Sequence, residues 1–302
     1  MNAAQPGILE PVPAVARYLF FSVAQGAEPD ALRPALQRLA QMADGCELVA
    51  GIGAELAQAL GARIPQLRKF PELSGPEGTH VPSTPHALWC WVRGDDLGDL
   101  LQLTRKLERA LAPAFQLRHI VDGFRHRLGA SGHGRDLTGY EDGTENPKGD
   151  DAVEAALAQG QGPGLDGSSF VAVQQWVHDF DAFEALADTA RDHHIGRRLA
   201  DNEEIEDSPA CAHVKRTEQE SFEPPAFVLR RSMPWLLSRQ AGLMFVAFGR
   251  SFDAFEAQMR RMAGLDDGVV DALFRISKPV SGAYFWCPPI KDGRLDLSRL
   301  GL

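Results

Sequence analysis

The most informative stretch of this 302-residue chain runs from Gly139 to Pro147 and reads Gly-Tyr-Glu-Asp-Gly-Thr-Glu-Asn-Pro. Two glycines bracket a carboxylate pair there, and glycine permits backbone conformations and close approaches that a side chain would forbid. A carboxylate held in such a turn, that of Asp142 in particular, can be directed at a flat group close to the backbone. Asp before Gly is also a common pair in ordinary turns, so these residues alone leave a purely structural role open.

The composition around this stretch is that of an ordinary soluble globular protein, with 44% hydrophobic and 24% charged residues. The length suits one large domain or two medium ones. A formal net charge of −10 argues against nucleic acid or an anionic membrane as the main partner, because phosphate binding needs clustered Lys and Arg. No apolar stretch approaches the roughly 20 residues of a membrane span. The N-terminus lacks the pattern of a secretory signal, so we expect a cytoplasmic protein.

Four cysteines are spread widely along the chain and form no CxxC pair: Cys46, Cys90, Cys211 and Cys287. This spacing argues against a zinc ribbon and against a thioredoxin-type site. We therefore expect buried free thiols in a reducing compartment.

Hydrophobic periodicity predicts the element order β-α-β-β-α-β in each half of the chain. The predicted strands of the first half are residues 16–23, 47–52, 87–92 and 115–124, and its helices are 29–42 and 96–111. The predicted strands of the second half are 169–178, 228–231, 242–248 and 283–287, with a Met-Pro turn between the middle two, and its helices are 181–190 and 252–262. A glycine-rich region, 129–167, lies between the halves and contains a short predicted helix at 151–157.

This order predicts an α+β fold of tandem ferredoxin-like units with antiparallel sheets and peripheral helices. We place the first unit at residues 1–135. The second unit, together with most of the glycine-rich region, is placed at residues 136–302.

Together with Asp136-Leu137-Thr138 upstream, the 139–147 stretch resembles the distal-side signature of the dye-decolorizing haem peroxidases. The resemblance runs from Pro6 to Pro289, nearly the whole chain, and points to the bacterial, cytosolic B-type branch. It implies haem b as the cofactor, bound in the second half. It also implies that hydrogen peroxide oxidises the ferric enzyme and that small aromatic reductants such as phenols or dyes reduce it back to the ferric state. The family resemblance further implies a homo-oligomer.

The resemblance assigns the distal acid–base role to Asp142 and places Gly143 beside it at the haem. A group at this position takes a proton from peroxide and returns it to the departing oxygen. Glu141 and Glu145 fall outside the matching position.

Residues 228–234 resemble the strand that brings the distal arginine over the haem. Consecutive strand residues point to opposite faces, so Arg230 and Arg231 cannot both enter the pocket, and the motif favours Arg230. Its guanidinium would stabilise negative charge on peroxide. Two residues later, Ser232 stands where many bacterial relatives have Asn, which leaves the details of peroxide positioning open.

Among nine histidines, His213 is predicted as the axial ligand, because residues 209–214 resemble the family's proximal segment. Cys211 is a rival soft ligand, whose thiolate would suggest monooxygenase-type chemistry. A proximal histidine usually donates its other ring proton to a carboxylate or carbonyl. Asp271 is predicted for that role, although it could as easily be a charge on a helix surface.

Other functions remain open from the sequence. They are a haem-handling, iron-releasing protein with weak peroxidase activity, a chlorite-dismutase-like haem enzyme and a ferredoxin-like binding module without haem. Chlorite dismutation has no evident need for the carboxylate of Asp142. The sequence does not identify the physiological electron donor, the number of subunits, or which Trp or Tyr would oxidise bulky donors.

Overall fold

The computed structural model describes residues 3–129 and 131–302, where fourteen strands form one large antiparallel sheet of ten strands and two small sheets of two strands, β3-β4 and β13-β14. The strands are β1 (Val15–Val23), β2 (Leu48–Ile52), β3 (Leu73–Ser74), β4 (His80–Val81), β5 (Leu88–Gly94), β6 (Phe115–Phe124), β7 (Ser169–His178), β8 (Leu229–Arg230), β9 (Met233–Leu237), β10 (Gln240–Gly249), β11 (Ser277–Pro279), β12 (Ala283–Cys287), β13 (Ile290–Lys291) and β14 (Arg294–Leu295). The helices are α1 (Pro6–Leu9), α2 (Pro29–Met42), α3 (Ala54–Ala59), α4 (Leu97–Leu111), α5 (Gly149–Ala156), α6 (Phe180–Glu184), α7 (Asp188–Ile195), α8 (His213–Thr217) and α9 (Asp253–Met262).

Hydrogen bonding closes the large sheet into a barrel with two halves. The N-terminal strands lie in the order β2-β5-β1-β6, and the C-terminal strands lie in the order β12-β7-β10-β9. β12 meets β2 at Trp286 and Ile52, and β6 meets β9 at Gly123 and Trp235. The halves therefore join at both edges, and each half places its last strand beside its first.

Alternation along the strands builds two separate cores. Tyr18, Trp91 and Phe248 belong to one cluster, which contains residues from both halves of the barrel. Leu19 and Cys90, their neighbours along β1 and β5, belong to the other cluster, which includes apolar residues of α2, α4 and α9. Successive strand residues face opposite sides of a sheet, so one face fills the barrel and the other packs under helices.

Most predicted elements are present with ends displaced by a residue or two, but the predicted helix 181–190 is wrong. The chain forms α6 and α7 there instead. Asp179 caps α6 by accepting a bond from Ala182 N at 2.9 Å. The guanidinium of Arg191 in α7 donates to the carbonyls of Phe183 and Glu184 at 3.0 and 2.6 Å. These bonds satisfy the carboxyl end of α6, where an uninterrupted helix would have continued.

The predicted Met-Pro turn is also wrong, because Met233 and Pro234 lie inside β9. The turn of the β9–β10 hairpin comes later, at Ser238, whose φ is 56°. Proline is tolerated in a strand where one side makes few ladder bonds. On its β6 side, β9 pairs only at Trp235 in the described part of the chain.

The four thiols are free, as predicted, but only Cys90 and Cys287 are buried, while Cys46 and Cys211 are partly exposed. Among the described residues, no helix has the length and apolar character needed to cross a bilayer.

Candidate functional site

A cleft lies between the C-terminal half of the barrel and the helices α8 and α9. Its sheet wall is formed by Gln174, Trp176 and His178 of β7, Leu243 and Phe245 of β10, and Arg230 of β8. Its helical wall is formed by His213, Thr217, Gln258, Met259 and Met262. The cleft has a cavity volume of about 120 Å³. The cleft is open to solvent on one side.

His213 stands on the helical wall as the first residue of α8. Its ring Nδ1 lies 2.8 Å from Asp271 Oδ2, and the Asp271 side chain is fully buried. The other oxygen of Asp271 accepts a bond from Leu273 N at 2.8 Å. A carboxylate accepts, so Nδ1 carries the proton and the lone pair of the neutral ring lies on Nε2, as in a metal-ligating histidine. Asp271 is thus buried against His213, not a charge on a helix surface.

A buried arginine fixes α8 beside α9. Both terminal nitrogens of Arg216 lie 2.7 Å from the carboxylate of Asp267, and one of them also donates to Arg261 O at 2.6 Å. The hydrogen bonds from Arg216 lead the effects that hold the pKa of Asp267 below its ordinary value. This two-point contact limits rotation of the short helix that carries His213.

Asp142 reaches the cleft from the glycine-rich loop. Gly139 and Gly143 have φ of 95° and 83°, a region that favours glycine, and Asp142 N donates to Gly134 O at 2.8 Å. The side chains of the flanking glutamates point elsewhere. That of Glu141 is buried against Ser131, and that of Glu145 lies 2.6 Å from Arg197.

Two consecutive arginines diverge at β8, as strand alternation requires. Arg230 lines the cleft, whereas Arg231 donates to the carbonyls of Ile8 and Leu9 at 3.1 and 2.6 Å. Burial, together with the charge of Arg93, lowers the pKa of Arg231 to about 10. Arg231 therefore anchors the N-terminal segment.

Three further residues singled out in the sequence are not among the described residues that line the cleft. The hydroxyl of Ser232 accepts a bond from Val246 N at 3.3 Å. Gly143 lies against Asn146, whose backbone N–H donates to its carbonyl at 3.1 Å. Cys211 accepts a bond at its carbonyl from Ala272 N at 2.8 Å, and its thiol is free. Only Asp142, Arg230 and His213 of the predicted set line the cleft, with Asp271 behind His213.

The sequence interpretation missed the polar side chains on β7. Gln174 is fully buried, and its Nε2 has no hydrogen-bond partner among the described residues. His178 lies 3.0 Å from Asp136 through Nε2 and 2.7 Å from Ser277 through Nδ1. Burial would raise the pKa of Asp136, but the hydrogen bonds that it accepts from His178 and Thr138 outweigh this and lower it. Strand alternation places residues 174, 176 and 178 on one face of β7, but the strand is buried along most of its length, so this spacing alone does not show that the face lines a cleft.

Comparison with known proteins agrees with this arrangement. Residues 133–292 match the family model "Dyp-type peroxidase, C-terminal". A dye-decolorizing peroxidase of Mycolicibacterium paratuberculosis is 30% identical, over 94% of this chain and 83% of its own. A putative dyp-type peroxidase of Shewanella oneidensis has a TM-score of 0.86 at 27% identity, covering 99% of this chain and 98% of its own. A DypB variant of Rhodococcus jostii RHA1, solved in complex with heme, has a TM-score of 0.84 at 27% identity, covering 93% and 94%. The chain therefore belongs to the dye-decolorizing (Dyp-type) peroxidase family.

Proposed function

We propose that this dye-decolorizing peroxidase holds haem b in the cleft through His213 and reduces hydrogen peroxide while oxidising phenolic or dye-type one-electron donors. The observation that supports this proposal most strongly is that His213, hydrogen-bonded to buried Asp271, lines the same cleft as Asp142 and Arg230. The helical wall thus offers the His213 nitrogen as an iron ligand. The loop offers the carboxylate of Asp142 as an acid–base group, and the sheet offers the guanidinium of Arg230 as a cation.

The residues of the cleft fit such a cofactor. The unpartnered amide Nε2 of Gln174 is a buried donor that a porphyrin carboxylate or an ordered water would satisfy. Leu243, Phe245, Met259 and Met262 supply apolar walls, and the flexible Met side chains can adapt to a flat ligand. A relative of similar structure, DypB, was solved with heme, which supports the same class of ligand here.

The proposed chemistry assigns separate roles to two side chains. When bound, haem supplies the iron that receives the two oxidising equivalents of peroxide. Asp142 takes a proton from one peroxide oxygen and delivers it to the departing one. Arg230 stabilises the negative charge that develops on the peroxide. Asp271 keeps the His213 ring in one tautomer and raises its basicity as a ligand. Neither Ser232 nor Gly143 lines the cleft, so each would act only indirectly, by positioning neighbouring residues.

The test is to incubate haem-loaded protein with hydrogen peroxide and a phenol or an anthraquinone dye. The proposal expects oxidised donor, dependent on peroxide, with the iron and the porphyrin still together. Recovery of intact iron-free porphyrin without donor oxidation would instead indicate an iron-releasing protein and contradict the proposal.

We extend the proposal to the finer classification of the chain. Read in the opposite direction, as β9-β10-β7-β12, the C-terminal strand order matches β2-β5-β1-β6 strand for strand, which supports two ferredoxin-like units divided near residue 135. Assignment to the B-type branch stays a prediction from the resemblance. A cytoplasmic location and a homo-oligomer stay predictions, and analytical ultracentrifugation would test the oligomer.

A further inference from the structure

A second histidine–carboxylate pair lies in the cleft, besides His213 and Asp271. His178 bridges Asp136 of the glycine-rich loop and Ser277 of β11, and all three residues line the cleft. Only 5% of the His178 side chain is exposed, and Ser277 is equally shielded. Both ring nitrogens thus have partners in a site sheltered from bulk water.

The partners determine where the protons lie. Two bonds from Thr138 at 3.2 and 2.8 Å hold Asp136 as an acceptor. The N–H of His178 is therefore on Nε2, facing Asp136, and Nδ1 keeps its lone pair. The hydroxyl of Ser277 is 2.7 Å from Nδ1 and 3.4 Å from its other acceptor, Val177 O. The shorter contact makes Nδ1 the favoured acceptor of the Ser277 proton.

This proposal rests on the peroxidase function proposed above. We propose that Ser277, His178 and Asp136 accept the proton that a small phenolic donor loses when it gives up an electron in the cleft. The O–H bond of the phenol breaks, and its proton passes to Ser277 Oγ while the hydroxyl proton of Ser277 passes to His178 Nδ1. A bound haem that peroxide has oxidised would accept the electron, and the phenol would leave as a phenoxyl radical.

The carboxylate of Asp136 has the role of a counter-charge. Once His178 has accepted the proton, its positive charge lies 3.0 Å from Asp136, and release of the proton to solvent resets the group. Favourable pairing of opposite charges is strongest where water is excluded, as it is around His178. The relay therefore specifies donors that lose a proton with their electron, and it gives no advantage to donors that lose only an electron.

The test compares guaiacol, a phenol, with ferrocyanide, which loses an electron and no proton. Ser277→Ala removes the hydroxyl, and Ser277→Thr retains one. Ser281→Ala is the control, because the Ser281 hydroxyl accepts a bond from Gln175 N of β7 but does not line the cleft. Stopped-flow absorption would follow the holoenzyme, oxidised by peroxide, as each donor reduces it.

The expected result is that Ser277→Ala slows reduction by guaiacol at least about tenfold, a conservative figure for a lost proton acceptor. Reduction by ferrocyanide and oxidation by peroxide stay unchanged, and Ser277→Thr and Ser281→Ala behave like the wild type. In resting enzyme, calorimetry should also show guaiacol binding about 2- to 10-fold weaker in Ser277→Ala, the effect of one hydrogen bond.

An equal loss with both donors, or no loss with guaiacol, would overturn the relay while leaving the peroxidase proposal standing. A wild-type enzyme that peroxide oxidises but that neither donor reduces would overturn the proposed function and the relay together. His178→Gln gives a second check, because its amide can donate to Asp136 but cannot take up a proton. It should reproduce the selective loss with guaiacol.

Discussion

The side-chain amide of Asn146 binds the backbone of Arg230 at both of its polar groups. Asn146 Nδ2 donates to Arg230 O at 3.0 Å, and Asn146 Oδ1 accepts from Arg230 N at 2.8 Å. Asn146 lies four residues after Asp142, so the loop that carries the proposed acid–base group is attached directly to the strand that carries the proposed cation. Gln219 reinforces this attachment, since its amide bonds Glu145 O at 2.8 Å and Val228 N at 3.0 Å.

Replacing Asn146 should therefore disturb stability and chemistry together. Asn146→Ala leaves the N–H and C=O of Arg230 without these partners, which should cost about 1–3 kcal/mol in the free energy of unfolding. Denaturant unfolding gives that value, and stopped-flow mixing with peroxide gives the reaction rate, which should fall as well. Asn146→Asp is the matched variant, because it keeps the acceptor for Arg230 N but places an oxygen against Arg230 O. Wild-type stability and rate in both variants would refute the attachment.

Asp142 and Arg230 should both be needed for the reaction with peroxide. Loss of a positioned acid–base group costs about 10²–10⁴-fold, so Asp142→Asn should slow the reaction by that range. Loss of one electrostatic donor costs about 10²–10³-fold, which is the expectation for Arg230→Leu. Rates come from stopped-flow absorption, and Glu145→Gln is the control because its carboxylate pairs with Arg197 outside the cleft. Asp142→Asn reacting at the wild-type rate would remove Asp142 as the proton carrier.

Asp271 should affect the iron through His213. Asp271→Asn keeps an oxygen that can accept from His213 Nδ1 and removes the charge, so the ring becomes a weaker ligand. Loss of such a partner typically costs about 10–100-fold in metal affinity or activity. The iron–histidine stretching frequency in resonance Raman spectra should fall, while Asp266→Asn, whose carboxylate pairs with exposed Arg260, should leave it in place. An unchanged frequency in Asp271→Asn would show that the pair does not tune the ligand.

The sequence was informative where a local rule determines geometry. The glycines at 139 and 143 do adopt positive φ, which is why the turn around Asp142 could be recognised. Strand alternation predicts that Arg230 and Arg231 point to opposite faces, and their contacts confirm it. The antiparallel α+β fold was likewise predictable, because its strands are regular apolar runs.

The role of the β7 wall could not be predicted, because it depends on contacts between residues that are far apart in the sequence. β7 is buried along most of its length, so its pattern does not distinguish the face toward the cleft from the face toward the barrel. Gln174 and His178 take their significance from Asp136 and Ser277, which are distant in sequence. The break between α6 and α7 depends in the same way on tertiary contacts, those of Arg191 with α6.

The lowered pKa of Asp136 predicts that its contribution to the free energy of unfolding depends on pH. Its folded-state pKa lies below the ordinary value of 3.8, so the ionised form is favoured by folding. This contribution is fully present above that value and is lost as the pH falls through the folded-state pKa. The stability difference between wild type and Asp136→Asn should therefore be largest near neutral pH and shrink below about pH 3.8. Denaturant unfolding across pH measures it, and Asp207→Asn, at an exposed position, is the control. A difference that stays constant with pH would contradict the assignment.

The most direct test of the account is a haem titration of the His213→Ala variant beside the wild type, followed by absorption in the Soret region. The wild type should saturate at one haem per chain with the spectrum of a histidine-ligated ferric haem. His213→Ala should bind far less haem, or bind it with a different spectrum that added imidazole partly restores. Cys211→Ala, which removes the rival ligand, should match the wild type. An unchanged haem content and spectrum in His213→Ala would contradict the proposed site.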